Sequence, residues 1–578
     1  VILFFFTVNT GEEIAHKLKA LDFRDHDDQI SIIAVGMQAD EAKLKAFAED
    51  NNLDFHIIPD TPGTQVDKLY GPFKSLPVTF FISSQKRVYD MLTGGGSGKA
   101  ALITKVAQSY LAQQNTEKAR EMAELAKDEG EDALGVDETV AFTYVIEGDL
   151  DKAESMFKEA GSDEGLASVA LERGDLDGAV AFANESDSSY AATVKGKALL
   201  RQGKLEEATQ AFDEALDKPA AQFWQGSEAL TGRGRVNQAA GDAEAAVEAY
   251  QQAYNLNTYN VAAMTNEAAV YREGGDIDKA ADVLAKAHTR GMNDDLLTMM
   301  IGQVLEEQKK QNDAATKERI RQRVATLIDR KKAQDAGEAV TPADAWTTPP
   351  LVVAFLPAEN GTPVFFERAG TELSLRRGLE DRFSALDSVQ VVEREMLDAL
   401  LQELELGSSD LADKNTQLEL GRLLAARLLG FVEFSQTGGD VSMYVRFVDV
   451  ETTALKASVA KSVSRAESYD ALLDEVTGAL SESVDARRAL QGLIAEASAV
   501  DGIIINLGSG HGVEVGHEFT VLEEGEPIEV SGRKLGNKLT KVATIRVTDV
   551  QDEYAVCEIV QKQDNVTLAK EMKIKQAE

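Results

Sequence analysis

EGDLDKAESMFKEA, residues 147–160, decides the architecture of this chain, because variants of it recur downstream as QGKLEEATQAFDEAL at 202–216 and AGDAEAAVEAYQQAYNLN at 240–257. In each copy a Gly permits a tight turn between two helices, and a small Ala five residues later lets them cross closely. A large apolar residue nine positions after the Gly fills the gap to the next helix pair. The full copies are Gly148, Ala153 and Phe157; Gly203, Ala208 and Phe212; Gly241, Ala246 and Tyr250; and Gly275, Ala280 and Leu284. Degenerate copies begin at Gln114 and Gly174, and the spacings of 26 to 38 residues predict stacked helix pairs.

The three strings resemble tetratricopeptide (TPR) repeats, whose period is about 34 residues. The resemblance predicts an all-α solenoid over residues 113–335 and implies a protein-binding module whose concave face is lined by the first helix of each pair. The groove positions of that family fall here on Lys197, Arg201, Arg235, Gln238, Asn266 and Arg272. One interpretation is a groove for an acidic peptide or a C-terminal carboxylate, which Arg binds through two parallel hydrogen bonds. The alternative is that exposed helix positions accept Lys and Arg freely.

Residues 1–112 show apolar runs that alternate with amphipathic segments. The runs VILFFFT at 1–7, QISIIAVG at 29–36 and PVTFFIS at 77–83 are separated by EEIAHKLKAL and DEAKLKAFAEDN. This alternation predicts an α/β domain built from parallel βαβ units. The opening run is short and lacks a basic flank, so it indicates a buried strand and not a signal peptide.

The order of these elements, with Pro77 ahead of a strand, resembles the thioredoxin-like fold and its periplasmic thiol reductases. In that family a Cys-x-x-Cys motif opens the first helix opposite a cis proline, and the aligned residues here are Thr10, Gly11, Glu12 and Glu13. Without a thiolate, the resemblance implies a domain that cannot exchange disulfides. Glu12 and Glu13 are typical of a first helical turn, where carboxylates complement the helix dipole, and not of an acid–base pair.

A linker with clustered Pro and Thr at 336–347 leads into a second α/β pattern at 348–497. This pattern resembles the CsgG family of curli secretion channels and its relatives among flagellar and peptidoglycan-synthesis lipoproteins. The similar segments are VVERE at 391–395, LGRLLAARLLGFVEF at 420–434 and VRFVDVETTAL at 445–455. The resemblance implies a CsgG-like domain that packs into rings or binds proteins. Channel members carry long strand insertions, whereas SQTGGD at 435–440 predicts a tight turn and hence no channel.

The last segment, 498–578, is rich in strands and turn glycines. It resembles the small C-terminal β-barrel of flagellar H-ring proteins through NLG at 506–508 and through Gly512, Val513, Gly516, Phe519 and Val521. A strand follows these glycines, whereas a dinucleotide-binding fingerprint requires a helix there. The predicted fold class is therefore multidomain: an α/β thioredoxin-like domain, an all-α TPR solenoid, an α/β CsgG-like domain and a small C-terminal β-barrel.

Composition excludes several functions. The 98 Asp and Glu residues against 60 Lys and Arg give a formal charge of −38, which repels nucleic acid. A single cysteine, Cys557, excludes an internal disulfide and a Cys-rich metal site. No apolar run approaches the roughly 18 residues of a membrane helix. The histidines lack helical metal spacing, and only His511 and His517, which flank one turn, suggest a weak surface metal contact.

With no catalytic group, metal or cofactor indicated, the sequence predicts a non-enzymatic scaffold or assembly protein. The family resemblances place it in the periplasm or cell envelope of a Gram-negative bacterium, exported by a leader absent from these residues. It would bind other envelope proteins through its solenoid and self-associate as a ring, fibre or motor-associated collar. Open sheet edges such as VSMYVRFVDV at 441–450 would promote that association. The alternatives are a soluble regulator that docks on a peptidoglycan synthase and a divergent thioredoxin-fold enzyme.

Overall fold

The structure is a computed structural model of the 578-residue chain. It describes all residues except 9–14, 16–30, 55, 61–75, 83–87, 94–98, 130–134, 221, 291–293, 336–345, 349–350, 357–365, 387–388, 407–412, 425, 438–439, 465–467, 486–489, 499–501, 531–532, 565 and 578.

The N-terminal domain is built on a five-stranded sheet. Its elements are β1 (Ile2–Thr7), β2 (Ile32–Met37), α1 (Glu41–Asp50), β3 (His56–Asp60), β4 (Val78–Ile82) and β5 (Val88–Thr93). The strand order is β3-β2-β1-β4-β5, in which β1, β2 and β3 are parallel. β4 and β5 run antiparallel to their neighbours, so the expected parallel βαβ pattern holds only for the first three strands. Phe4 and Phe6 are buried on one face of the sheet, and Phe5 is buried on the other.

A helical solenoid follows. Its helices are α2 (Lys99–Ala112), α3 (Thr116–Asp128), α4 (Val136–Glu147), α5 (Leu150–Ala160), α6 (Asp163–Glu172), α7 (Leu176–Glu185), α8 (Ser189–Arg201), α9 (Leu205–Asp217), α10 (Phe223–Ala239), α11 (Ala243–Leu256), α12 (Val261–Glu273), α13 (Ile277–His288), α14 (Asp295–Asn312) and α15 (Ala314–Asp335). The turn between α4 and α5 uses Gly148 at φ +83°, and Gln114 takes the equivalent position between α2 and α3 at φ +59°. Ala153 and Phe157 are fully buried between the helices. The repeat predicted from the sequence is therefore confirmed as a helical-repeat solenoid.

The solenoid coils tightly at its N-terminal end. The rings of Phe142, Tyr190 and Trp224, which come from three non-consecutive helices, meet edge to face with centroids 5.2–5.4 Å apart. One turn further on, the side-chain amide of Asn257 donates to the carbonyl of Ala112 at 3.5 Å. Aromatic side chains thus fill the space between the helices at this end of the solenoid.

The C-terminal α/β domain has a second five-stranded sheet of order β10-β9-β8-β6-β7. Its elements are β6 (Leu351–Leu356), α16 (Thr371–Ser384), β7 (Val389–Val391), α17 (Arg394–Glu403), α18 (Lys414–Leu423), β8 (Leu428–Thr437), β9 (Asp440–Asp449), β10 (Leu455–Val463) and α19 (Tyr469–Asp485). Thr437 pairs with Asp440, as expected for a tight turn, although residues 438–439 lie outside the described chain. The prediction that 441–450 forms an open edge is wrong, because β9 is paired on both sides and β10 is the edge strand.

Helix α15 contributes to this second domain as well as to the solenoid. Val324 and Leu327 are buried in one cluster with Leu397 of α17 and Leu420 of α18. The sequence assigned this highly charged helix to the solenoid alone. Its apolar residues instead complete the core on one face of the second sheet.

The chain ends in a closed barrel of order β11-β12-β15-β14-β13-β16. Its strands are β11 (Gln491–Ser498), β12 (Gly502–Ile505), β13 (Glu518–Val530), β14 (Arg533–Val550), β15 (Ala555–Lys562) and β16 (Lys573–Gln576). The predicted barrel is confirmed, but it includes β11, which the sequence assigned to the preceding domain. The end of the predicted linker docks on the barrel, since the Trp346 indole donates to the carbonyl of Gly492 at 3.0 Å.

Candidate partner-binding groove

The six predicted groove residues lie on the first helices of three successive repeats. Lys197 and Arg201 are on α8, Arg235 and Gln238 on α10, and Asn266 and Arg272 on α12. The repeat spacing brings these helices side by side, because α8 packs on α10 and α10 packs on α12. The sequence therefore placed the residues on the expected helices, and their contacts show how each one is used. Partner binding by these residues stays a prediction.

Lys197 and Arg201 both have partners within the chain. Lys197 Nζ lies 2.5 Å from Glu228 Oε2. Burial by itself would lower the pKa of Lys197, but the nearby carboxylates of Glu228 and Glu367 outweigh it and raise the pKa. Arg201 donates to the carbonyl of Leu171 at 3.0 Å. Both cations thus face the groove with one interaction already made.

Arg235 is the most available cation of the set, since it makes no ion pair with any described residue. Burial lowers its pKa, and the neighbouring Tyr250 and Glu367 oppose that effect. Beside it, Gln238 accepts a hydrogen bond from the Tyr250 hydroxyl at 2.9 Å and donates to Glu273 at 3.2 Å. A guanidinium in this position is suited to bind an anionic group, and Glu367 is the carboxylate whose charge acts on it here.

Asn266 holds a segment of the chain's own C-terminal domain. Its side chain is completely buried; Nδ2 donates to the carbonyl of Glu367 at 3.4 Å, and Oδ1 accepts from the N–H of Ala369 at 2.6 Å. These two bonds clamp the backbone on both sides of Arg368. The groove is therefore occupied by residues 367–370, hereafter the docked segment, whereas the preceding Phe366 packs against Phe434 in the core of the C-terminal domain.

Arg368 anchors the docked segment through its side chain. Nη1 lies 2.5 Å from Asp294 Oδ2, and Nε donates to Thr265 Oγ1 at 3.3 Å. Gly370, two residues later, has φ +82° and is the N-cap of α16. A Cβ at this position would lie 3.8 Å from the Cβ of Ala269. The segment thus connects the groove directly to the first turn of α16.

A buried charge triad lies beside the docked segment. Arg272 donates to both carboxylate oxygens of Glu307, at 2.9 and 2.5 Å, and Arg377 of α16 pairs with the same carboxylate. Gln303, one helical turn before Glu307, donates to the carbonyl of Ser374 at 2.9 Å. Arg272, predicted as a groove residue, therefore fixes the solenoid to the C-terminal domain. Sequence reasoning missed Glu307 and Arg377, because no local pattern marks a contact between helices about 70 residues apart.

The predicted degenerate redox position is described only in part. Leu76–Pro77 is a cis peptide, and Val78 pairs with Phe5, so Pro77 lies beside the carboxyl end of β1. Thr10, Gly11, Glu12 and Glu13, which follow that end, lie outside the described residues. The single thiol is remote from this position in the barrel, where burial raises the pKa of Cys557 to about 12. A buried thiol of that pKa is protonated and unreactive at neutral pH.

The two histidines of the barrel turn each use one ring nitrogen locally. His511 Nδ1 accepts from the N–H of Gly508 at 3.1 Å, and His517 Nδ1 accepts from the N–H of Glu514 at 3.2 Å. In the described part of the chain, no three His, Cys, Asp or Glu side chains are arranged to hold a metal ion. Among the described helices, none is long and apolar enough to cross a membrane.

Two family models match the C-terminal half. The model of flagellar assembly protein T, C-terminal domain, matches residues 501–567, which include most of the barrel. The model of the curli production assembly/transport component CsgG matches residues 374–438, which run from α16 to the turn after β8. No curated protein matches the chain.

Solved structures match part of the chain. A chain of the APC/C hetero-tetramer Cut9–Hcn1 is 17% identical with a TM-score of 0.30; the match covers 36% of this chain and 43% of that one. Two structures of MamA are 20% and 19% identical, each with a TM-score of 0.22. The first match covers 31% of this chain and 96% of MamA, and the second covers 26% of this chain and 95% of MamA. The chain is thus a multidomain protein that combines a helical-repeat solenoid with CsgG-like and FlgT-like segments.

Proposed function

We propose that this protein is a non-enzymatic assembly protein of the Gram-negative periplasm. Its solenoid would bind other envelope proteins, and its C-terminal half would self-associate into a ring, a fibre or a motor-associated collar. Two matches to assembly families, both in that half, support the proposal. The strand order of the first sheet and the position of Pro77 support a thioredoxin-like N-terminal domain without redox function.

The open edge of β10 is the observation that carries self-association. β10 is nine residues long, contains neither Pro nor Gly, and pairs only with β9 in the described chain. Its outward side chains Ser458, Ala460 and Ser462 are small and exposed, so they would not obstruct a neighbouring strand. Its two lysines, Lys456 and Lys461, pair with Asp449 and Glu475 of the same chain. A long edge strand without proline is a template for pairing with another chain. The opposite edge, β7, has only three residues and contacts the barrel turn Ser509–His511.

Because β7 contacts the barrel, the exposed edge of β10 is the one to test by mutation in the full chain. Ala460→Lys places a charge beside the open edge, whereas Val515→Lys places one on another exposed position, in the barrel domain. We expect wild type and Val515→Lys to sediment as oligomers at micromolar concentration and Ala460→Lys to sediment as a monomer. Association should strengthen with salt, because the charge of −38 opposes contact between copies until it is screened. A wild-type monomer at every concentration and salt level would refute self-assembly.

The enzymatic alternative is tested by thiol chemistry. A divergent reductase would reduce insulin, and with one cysteine the turnover would require Cys557. We expect no insulin reduction by wild type and slow alkylation of Cys557 until the barrel unfolds, because its thiol is buried and protonated. Reduction by wild type that is absent in Cys557→Ser would overturn the non-enzymatic assignment.

A further inference from the structure

The docked segment bends over residues 367–370 and contacts the groove through its backbone. The Asn266 side chain hydrogen-bonds to the carbonyl of Glu367 and to the N–H of Ala369, one on either side of Arg368. Backbone hydrogen bonds supply affinity whatever the side chains of the bound segment are, while side-chain contacts supply specificity. Nothing in the clamp itself requires that the peptide belong to the same chain.

Two consecutive side chains of the segment meet groups of opposite charge. The carboxylate of Glu367 acts on Lys197 and Arg235, the cations on α8 and α10. The guanidinium of Arg368 pairs with Asp294 at 2.5 Å. The ion pair with Asp294 favours a basic residue at the position of Arg368, and the two cations of the groove favour an acidic residue before it.

We infer that the groove lined by Lys197, Arg235 and Asn266 is the binding site for an acidic–basic segment of a partner protein that adopts the same bend. The docked segment is then an internal competitor for that site. This inference rests on the proposed role of the solenoid in partner binding. A partner binds only the fraction of molecules whose groove is open, so the docked segment lowers its apparent affinity by that fraction. Release of residues 367–369 breaks two backbone hydrogen bonds and the Arg368 contacts, which is a local opening and not an unfolding of either domain.

The test uses the full chain and the fluorescent peptide acetyl-FERAG-amide, which copies residues 366–370. Arg368→Glu places a carboxylate opposite Asp294 and should weaken the docked segment. We expect this variant to bind the probe at least about tenfold more tightly than wild type does, since a lost charged hydrogen bond is worth roughly a factor of ten or more. Adding Asn266→Ala to the variant should abolish binding, and the probe FQRAG should bind about tenfold more weakly than FERAG.

A second measurement uses the unmutated protein. The Ala369 amide donates to buried Asn266, so it should exchange slowly with deuterium, and excess FERAG should accelerate its exchange. Exchange unaffected by the peptide, equal binding of FERAG and FQRAG, or no gain in Arg368→Glu would each overturn the inference. Capture of envelope proteins by the same variants reports the proposed function separately: capture that persists without probe binding refutes only the competitor.

Discussion

Replacing Glu307 by Gln should loosen the joint between the solenoid and the C-terminal domain. The carboxylate neutralises Arg272 of α12 and Arg377 of α16 at once, so its removal leaves two cations facing a neutral amide. The side chains of Arg272, Glu307 and Arg377 are only 10%, 12% and 21% exposed, so water compensates little. Breaking a buried pair of this kind costs about 3–5 kcal/mol, because a charge is left buried without a partner.

The preceding residue on α14, Glu306, supplies a matched control. Glu306 carries the same charge and pairs with Lys310 at 2.9 Å, but the two side chains are 54% and 41% exposed. An exposed pair contributes about 0–1 kcal/mol, since solvent screens it. Glu306→Gln therefore makes the same chemical change one position away with a much smaller expected effect.

Hydrogen exchange measured by mass spectrometry reports how often the amides of α14 and α16 become exposed to solvent. A loss of 3 kcal/mol or more accelerates exchange of their amides by roughly a factor of 100, at about 1.4 kcal/mol per factor of ten. Glu306→Gln should stay within about fivefold of wild type on the same peptides. Equal protection in the two variants would show that the triad does not hold the joint.

Three further changes test other parts of the structure. Gly165→Ala should lower the free energy of unfolding, measured in urea, by about 1–3 kcal/mol, because a Cβ there would overlap the buried Phe157 ring. Gly302 has open space around it, so Gly302→Ala should be neutral or stabilising by up to about 1 kcal/mol. Equal effects of the two substitutions would contradict the packing of Gly165 against Phe157. Arg235→Glu should weaken capture of envelope partners and reduce its salt dependence in pull-downs, and unchanged capture would mean that the cation is only solvated surface. Burial raises the pKa of Glu380 from 4.5 to about 7, so its contribution to stability is present below pH 4.5 and is lost as the pH rises through 7. Glu380→Gln should therefore gain stability over wild type at pH 8 and not at pH 4, and a constant difference in urea midpoint between the two would refute this.

The parts of the fold that sequence could predict are those set by local spacing. The solenoid turns use a residue at positive φ, and the helix crossings use a small residue and a large apolar one at fixed sequence spacings after that residue. Gly148, Ala153 and Phe157 therefore reveal the repeat without any tertiary information. The same counting placed the six groove residues on the correct helices. It did not identify their occupant, because the docked segment lies about 100 residues further along the chain.

Two errors have identifiable causes. Helix α15 looked like a surface helix because of its many charges, yet Ile320, Val324, Leu327 and Ile328 recur at helical spacing and form the stripe that packs on α17 and α18. β9 was expected to form an open sheet edge, and its residues alternate between buried and more exposed positions. That alternation arises because one face of the sheet is covered and the other is partly open to solvent. It occurs in inner strands and edge strands alike, so it cannot distinguish between them.

The contacts of the groove join the two proposed activities of the protein. The residues that hold the docked segment are on α12 and α14, and α15, which follows directly, is packed into the core of the C-terminal domain. A partner that displaces residues 367–369 would therefore leave the triad of Arg272, Glu307 and Arg377 and the α15 contacts in place. The solenoid would keep its orientation on the C-terminal domain while its groove exchanges one peptide for another. Under the proposed function, bound partners would then be held at one fixed geometry with respect to the open β10 edge, which is the arrangement that an ordered assembly requires.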